Sequence, residues 1–204
     1  DEGKEKSGTK EPKEKTNKKE EDGDECPICL EELPKDATEF NRFTCCGKGL
    51  HKHCSTDLKT SKMKWNCPLC RAKTPTSVEE VVKQLRPWVK KKKAWAQVHL
   101  AQMYRNGKGV KQSYEMARML YEPAAQQGDA NAMYNLGVMY DQGLGVEQLY
   151  ERAVEYYEQA AQLGNAKAQY NLGIMYYTGQ GVAKDDTKAK KWWTASAAQG
   201  NENA

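Results

Sequence analysis

A chain of 204 residues, 38% apolar and 29% charged, is sized for one or two modest domains, and its longest apolar runs, only a few residues each, exclude a membrane-spanning helix. Its formal net charge of +4 is moderate, so neither nucleic acid nor a membrane is expected as a partner. Seven cysteines, an odd number in a lysine-rich chain without a signal peptide, point to a reducing compartment, cytoplasm or nucleus, rather than to a disulfide framework.

The chain starts at Asp1 without a methionine and stops in mid-pattern, as a piece of a longer protein would. Residues 1–25 hold ten acidic residues, seven lysines and no large apolar side chain. Such a composition cannot bury enough surface to offset the entropy of ordering, and the segment is expected to be disordered. The remainder carries a surplus of seven positive charges.

Every cysteine lies within residues 26–71. A Cys-x-x-Cys pair puts two thiolates on one turn, close enough to share a tetrahedral zinc, and Cys26 with Cys29 and Cys67 with Cys70 are two such pairs. His51 and Cys54 have the same spacing, which His53 lacks, so His53 reads as an exposed neighbour. Cys45 and Cys46 are adjacent and can serve one metal only where the backbone turns sharply, as Gly47 and Gly49 permit. Seven thiols and His51 make eight ligands, enough for two closed zinc sites. So short a stretch, with few large apolar side chains, cannot fold on burial alone; the metal must supply the rest, about 10–16 kcal/mol for each structural zinc. Four protein ligands leave no position for a reactive water, which argues against metal-assisted hydrolysis.

The order Cys-x2-Cys, Cys-Cys, His-x2-Cys, Cys-x2-Cys, with Pro27 and Pro68 inside the outer pairs, resembles a RING finger running from Cys26 to Arg71. The resemblance implies interleaved ligands, with Cys26, Cys29, His51 and Cys54 on one zinc and Cys45, Cys46, Cys67 and Cys70 on the other. It also implies recruitment of a ubiquitin-conjugating enzyme charged with ubiquitin, through Ile28 between the first two cysteines, Trp65, and Pro68 after the seventh ligand. Arg71, just after the last ligand, stands where many members carry the donor that orients the thioester. The adjacent Cys45 and Cys46 depart from the family, most of whose members have a spacer there. The same donor order, with Trp65 two residues before the seventh ligand, also resembles a PHD finger, a reader of histone tails; the long gap from Cys29 to Cys45 and the missing spacer favour the RING. Each of these residues has a plainer alternative: Ile28 as a shield for zinc, Trp65 as core, Arg71 as an ordinary surface charge.

Residues 72–76 form a linker too short to let the finger swing freely. Ser77, with Glu80 three residues on, forms a capping box that opens a helix, and Val78, Val81, Val82, Leu85, Trp88 and Val89 fall on one helical stripe. Pro87 is expected to kink or end that helix. Lys90, Lys91, Lys92 and Lys93 read as a solvated helix end favoured by the dipole, with a localisation signal or an anionic-partner patch as the alternative.

From Ala94 the chain repeats with a period of 36 residues. Leu100, Leu136 and Leu172 align, as do Tyr104, Tyr140 and Tyr176, the glycines at 107, 143 and 179, and those at 109, 145 and 181. Each unit reads as a helix (Ala130 to Asp141 in the second), a glycine-bearing loop, a second helix (about Leu149 to Leu163) and a glycine-marked turn. The spacing predicts units over 94–129, 130–165 and 166–201, led by a half unit over 77–93. Tyr-Asn-Leu-Gly-Val-Met-Tyr-x-x-Gly-x-Gly-Val from 134 and its copy from 170 resemble Sel-like repeats, relatives of the tetratricopeptide class, which implies an α/α superhelix with a protein-binding concave face across 77–204. Ser113 and Asp185 are placed to cap second helices, Leu149 stands where a cap is expected, and Pro123 should bend its helix. The Tyr, Leu and Met stripes, Met103, Met139 and Met175 included, read as core; His99, Asn135 and Asn171 share one position that either lines the concave face or is merely exposed.

The fold class so read is a small zinc-stabilised RING finger followed by an all-α solenoid of Sel-like helix-turn-helix repeats. The function so read is a RING-type ubiquitin-protein ligase binding two zinc ions, a charged conjugating enzyme and, on the solenoid, a protein substrate. With all seven cysteines on zinc, no thiol remains to carry ubiquitin, so transfer is expected directly from the partner enzyme. The alternatives are a non-catalytic scaffold and a histone-tail reader.

Overall fold

A computed structural model of the chain describes residues 40–43, 46–47, 49–51, 72–73 and 75–201. They form a two-stranded hairpin, β1 (Phe40–Arg42) and β2 (Gly49–His51), followed by seven helices: α1 (Val78–Lys90), α2 (Ala94–Asn106), α3 (Tyr114–Gln126), α4 (Ala130–Gln142), α5 (Tyr150–Gln162), α6 (Ala166–Thr178) and α7 (Asp186–Ala197). The even-numbered helices begin 36 residues apart, and so do α1, α3, α5 and α7. Among the described residues the architecture is therefore a solenoid led by the single helix α1.

Local chemistry sets most helix starts. The side-chain oxygens of Ser113, Asp129, Asn165 and Asp185 accept the N–H three residues on, at 2.9 to 3.2 Å. At α1 Ser77 accepts the Glu80 N–H at 3.3 Å, but the Glu80 carboxylate takes the N–H of Thr76 at 2.7 Å and its hydroxyl at 3.1 Å, so the reciprocal half of the box closes one residue earlier than in the capping box proper. Leu149 caps α5 with no side-chain bond. Pro87 and Pro123, one period apart, end neither helix: α1 runs on to Lys90 and α3 to Gln126. Each proline lies three residues before the end of its helix and costs the one bond that its missing N–H would have made to the carbonyl four residues earlier.

What stacks the units is the second glycine of each loop. Gly109, Gly145 and Gly181 have φ of +69°, +68° and +66°, a left-handed conformation that other residues rarely adopt. Each also lies against the first turn of the helix two before its own loop's second helix. A Cβ at Gly109 would fall 2.8 Å from Val78 Cγ1, one at Gly145 2.5 Å from Tyr114 Cβ, and one at Gly181 on the Tyr150 backbone. Val78, Tyr114 and Tyr150 are themselves one period apart, so the same contact recurs in every unit.

Inside the stack Leu100, Leu136, Leu172, Met103, Met139 and Met175 are buried, as are Tyr121 and Tyr157. The two helices of a unit approach closely where Gly137 faces the Tyr157 ring and Gly173 faces Trp193; neither leaves room for a Cβ. In the first unit and the third, buried Gln97 accepts from the Gln127 amide at 2.9 Å and buried Gln169 from Gln199 at 2.8 Å. The second unit has Met133 and Leu163 at these two positions, so the polar pair is replaced whole by an apolar one and no amide is left single.

Because strain and overlap coincide at Gly145, Gly145→Ala should cost about 2–4 kcal/mol. Gly164 has φ +86° but nothing within 4 Å of a Cβ, and Gly164→Ala should cost only about 1 kcal/mol. Denaturant unfolding of the two variants checks this difference; equal losses would remove the packing role given to the loop glycine.

Candidate functional site

The described part of the cysteine-rich segment is its hairpin. Phe40 pairs with His51, Asn41 with Leu50 and Arg42 with Gly49. The chain reverses at Gly47, whose φ is +70° and whose N–H donates to the Phe43 carbonyl at 2.7 Å. Half-buried Cys46 stands directly before that turn, while the backbone of His51 closes the far end of β2. Of the two glycines that the sequence offered for a sharp turn, Gly47 makes it; Gly49 is strand, buried and paired. Cys26, Cys29, Cys45, Cys54, Cys67 and Cys70 lie outside the described residues, as do Ile28, His53, Trp65, Pro68, Arg71 and the tail 1–25, and of His51 only the backbone is described. Thiols with a single imidazole are a donor set suited to zinc, and a left-handed glycine after Cys46 gives adjacent cysteines the reversal that a shared metal requires.

The hairpin turn sits on the solenoid. A Cβ at Gly47 would fall 3.2 Å from Cη2 of Trp88 and 3.2 Å from Cζ2 of Trp95. Trp88 lies near the end of α1 and Trp95 at the start of α2, with ring centroids 5.8 Å apart. The lysine run is the turn between these helices. Lys90 ends α1 and Lys91 holds its ammonium 4.7 Å above the Trp88 ring. Lys92 takes φ 57°, and Lys93 donates its N–H to the Trp88 carbonyl at 3.1 Å before α2 begins. Beside this contact Phe43 and Pro75 meet Val78, Val81, His99 and Met103 around a cavity of about 380 Å³. The sequence marked Trp88 as core and was silent on Trp95, because a helical stripe shows that a side chain packs but not what packs on it.

On the solenoid the shared position of His99, Asn135 and Asn171 splits three ways. His99 is exposed and reaches the cavity, Asn171 is half-buried, and Asn135 is buried. Asn135 is structural: it accepts from Arg105 at 2.8 Å and donates to the Asn131 carbonyl at 2.6 Å. One unit later Asp141 takes the place of Arg105 and accepts the Tyr157 hydroxyl at 3.3 Å. In the preceding unit Arg105 and Asn135 bond each other, and the buried Tyr121 hydroxyl has no hydrogen-bond partner among the described residues. Burial drives the pKa of Tyr121 upward, and burial together with the Asp141 charge does the same for Tyr157, so both phenols stay neutral and unreactive. Among the described residues no helix is long and apolar enough to cross a membrane.

Comparison with known families agrees with this division. Residues 24–71 match the Ring finger domain, and residues 96–129, 130–165 and 166–201 each match the Sel1 repeat. The first match implies zinc binding and corresponds to the RING rather than the PHD resemblance. Among solved structures the chain is similar to c5321, a protective antigen present in uropathogenic Escherichia coli strains displaying an SLR fold. That match has 35% identity and a TM-score of 0.60, over 63% of this chain and 27% of that one. It is also similar to a Sel1 repeat protein from Oxalobacter formigenes, at 32% identity and a TM-score of 0.59, over 64% of this chain and 51% of that one. The chain thus spans about a quarter and about half of these two relatives. No curated protein matches.

The two buried tyrosines give a test of the polar column. Tyr157→Phe removes a made bond and should cost about 1 kcal/mol, whereas Tyr121→Phe removes an unpaired hydroxyl and should be neutral or stabilising. Thermal unfolding of both variants decides; a clear loss in Tyr121→Phe would mean that its hydroxyl is satisfied.

Proposed function

The chain belongs to the Sel1 repeat family and carries a Ring finger domain ahead of its repeats, and from that premise we propose that it is a RING-type ubiquitin-protein ligase of the cytoplasm or nucleus. The observation that carries the reading is the finger's full residue set: eight zinc ligands together with Ile28, Pro68 and Arg71 at the family's contact positions. Cys26, Cys29, His51 and Cys54 would hold one zinc and Cys45, Cys46, Cys67 and Cys70 the other. The metal ions stabilise the fold and take no part in the transfer.

The chemistry then divides among this chain's residues. Ile28, Trp65 and Pro68 form an apolar anchor for a ubiquitin-conjugating enzyme. Arg71 donates to both the enzyme and its linked ubiquitin, which restricts the thioester to geometries open to attack. A substrate lysine amine, brought by a protein bound to the helical repeats, attacks the thioester carbonyl; an isopeptide bond forms and the partner's cysteine leaves as a thiol. All seven cysteines being metal ligands, this chain forms no thioester of its own. The solenoid suits the substrate role because stacked units present one extended surface.

Two zinc ions per chain are expected, and chelation should unfold the finger while leaving most helical circular dichroism, since the solenoid has its own apolar core. In single-turnover discharge of a charged conjugating enzyme to free lysine, Ile28→Ala should weaken affinity by about 1–3 kcal/mol. Arg71→Ala should leave affinity nearly unchanged and slow discharge. Loss of affinity alone in Arg71→Ala would contradict the orienting role. Binding without discharge in the wild type would leave a scaffold, and capture of a histone tail with Trp65 more sensitive than Arg71 would leave a histone reader.

A further inference from the structure

We propose that Trp88 and Trp95 are a built seat for the finger's metal-bearing turn, so that zinc binding and the order of the first two helices are one coupled equilibrium. The inference rests on the zinc reading of the finger and not on ubiquitin chemistry.

Gly47 is fixed at the seat for two separate reasons. Its φ of +70° disfavours any side chain, and a Cβ there would press at 3.2 Å on both indoles at once. Each indole is also held by a neighbour: the Lys91 ammonium covers the Trp88 ring, and Trp95 packs against it. Phe43, whose carbonyl receives the Gly47 N–H, lines a cavity together with Val81 of α1 and Met103 of α2.

The repeat itself argues that the seat is specific. One and two periods after Trp88 stand Ala124 and Ala160, both fully buried between units; one and two periods after Trp95 stand Asn131 and Lys167. Positions that are small or polar inside the stack become indoles only at the front, where the hairpin turn at Gly47 lies against them. Cys46 adjoins Gly47, so a metal that fixes this cysteine also fixes the turn on the seat. Linkage then requires reciprocity: whatever factor zinc contributes to the order of α1, loosening the seat must remove from zinc affinity.

The test is hydrogen exchange on the full chain, zinc-loaded and chelated, with zinc content measured first. Chelation should speed exchange of the α1 amides by about tenfold or more and leave α4 to α7 unchanged. Trp88→Ala should abolish that zinc dependence and weaken zinc retention against a competing chelator by the same factor. A loaded chain whose α1 exchange ignores chelation, or a Trp88→Ala chain that still responds, overturns the seat and leaves the zinc finger standing. A chain that holds no zinc overturns both.

Discussion

The contact between a left-handed loop glycine and the first turn of an earlier helix is the constraint on which the rest of the molecule depends. It occurs at Gly109 on Val78, Gly145 on Tyr114 and Gly181 on Tyr150, always at the same place in the unit. Side chains could slide past one another with modest loss, but backbone pressed against backbone admits one register. That register aligns the buried Leu and Met stripes and sets Gly137 and Gly173 under their aromatic rings. It also recruits α1, which Gly109 holds as its later copies are held. The hairpin turn at Gly47 meets the front of the stack at Trp88 and Trp95.

Much of the solenoid was legible because its constraints are periodic. A glycine needed for a left-handed turn and a tight approach recurs every 36 residues, and a step back of one period from α3 reaches α1. Pro87 does not end its helix early, and both prolines are tolerated with three helical residues still to follow. Leu149 shows the opposite override: with no cap bond, α5 still starts one period after α3, because Gly145 has already placed the preceding loop. Local preference yields to packing in both cases.

The finger's family was legible in its ligand spacing, which is a statement about metal geometry and needs no core. Its position was not. Pattern alone offered Gly47 and Gly49 equally for the turn, and only the strand pairing of Gly49 with Arg42 separates them. The lysine run is the solvated helix end that the sequence suggested, and its backbone also forms the bend between Trp88 and Trp95. A signal was nonetheless present: Trp88 breaks a series whose later members, Ala124, Ala160 and Ser196, are all small, and a departure from a repeat marks a place where the neighbour differs.

A finger seated on a repeat stack places whatever it recruits at a set distance from whatever the repeats hold, which is what direct transfer from a partner enzyme to a bound protein needs. The central claim is therefore that this chain promotes ubiquitin transfer without a thiol of its own. Its most direct test is single-turnover discharge by the wild-type chain, verified to hold both zinc ions, across a panel of charged conjugating enzymes. The account predicts acceleration with at least one of them; no acceleration with any would contradict it.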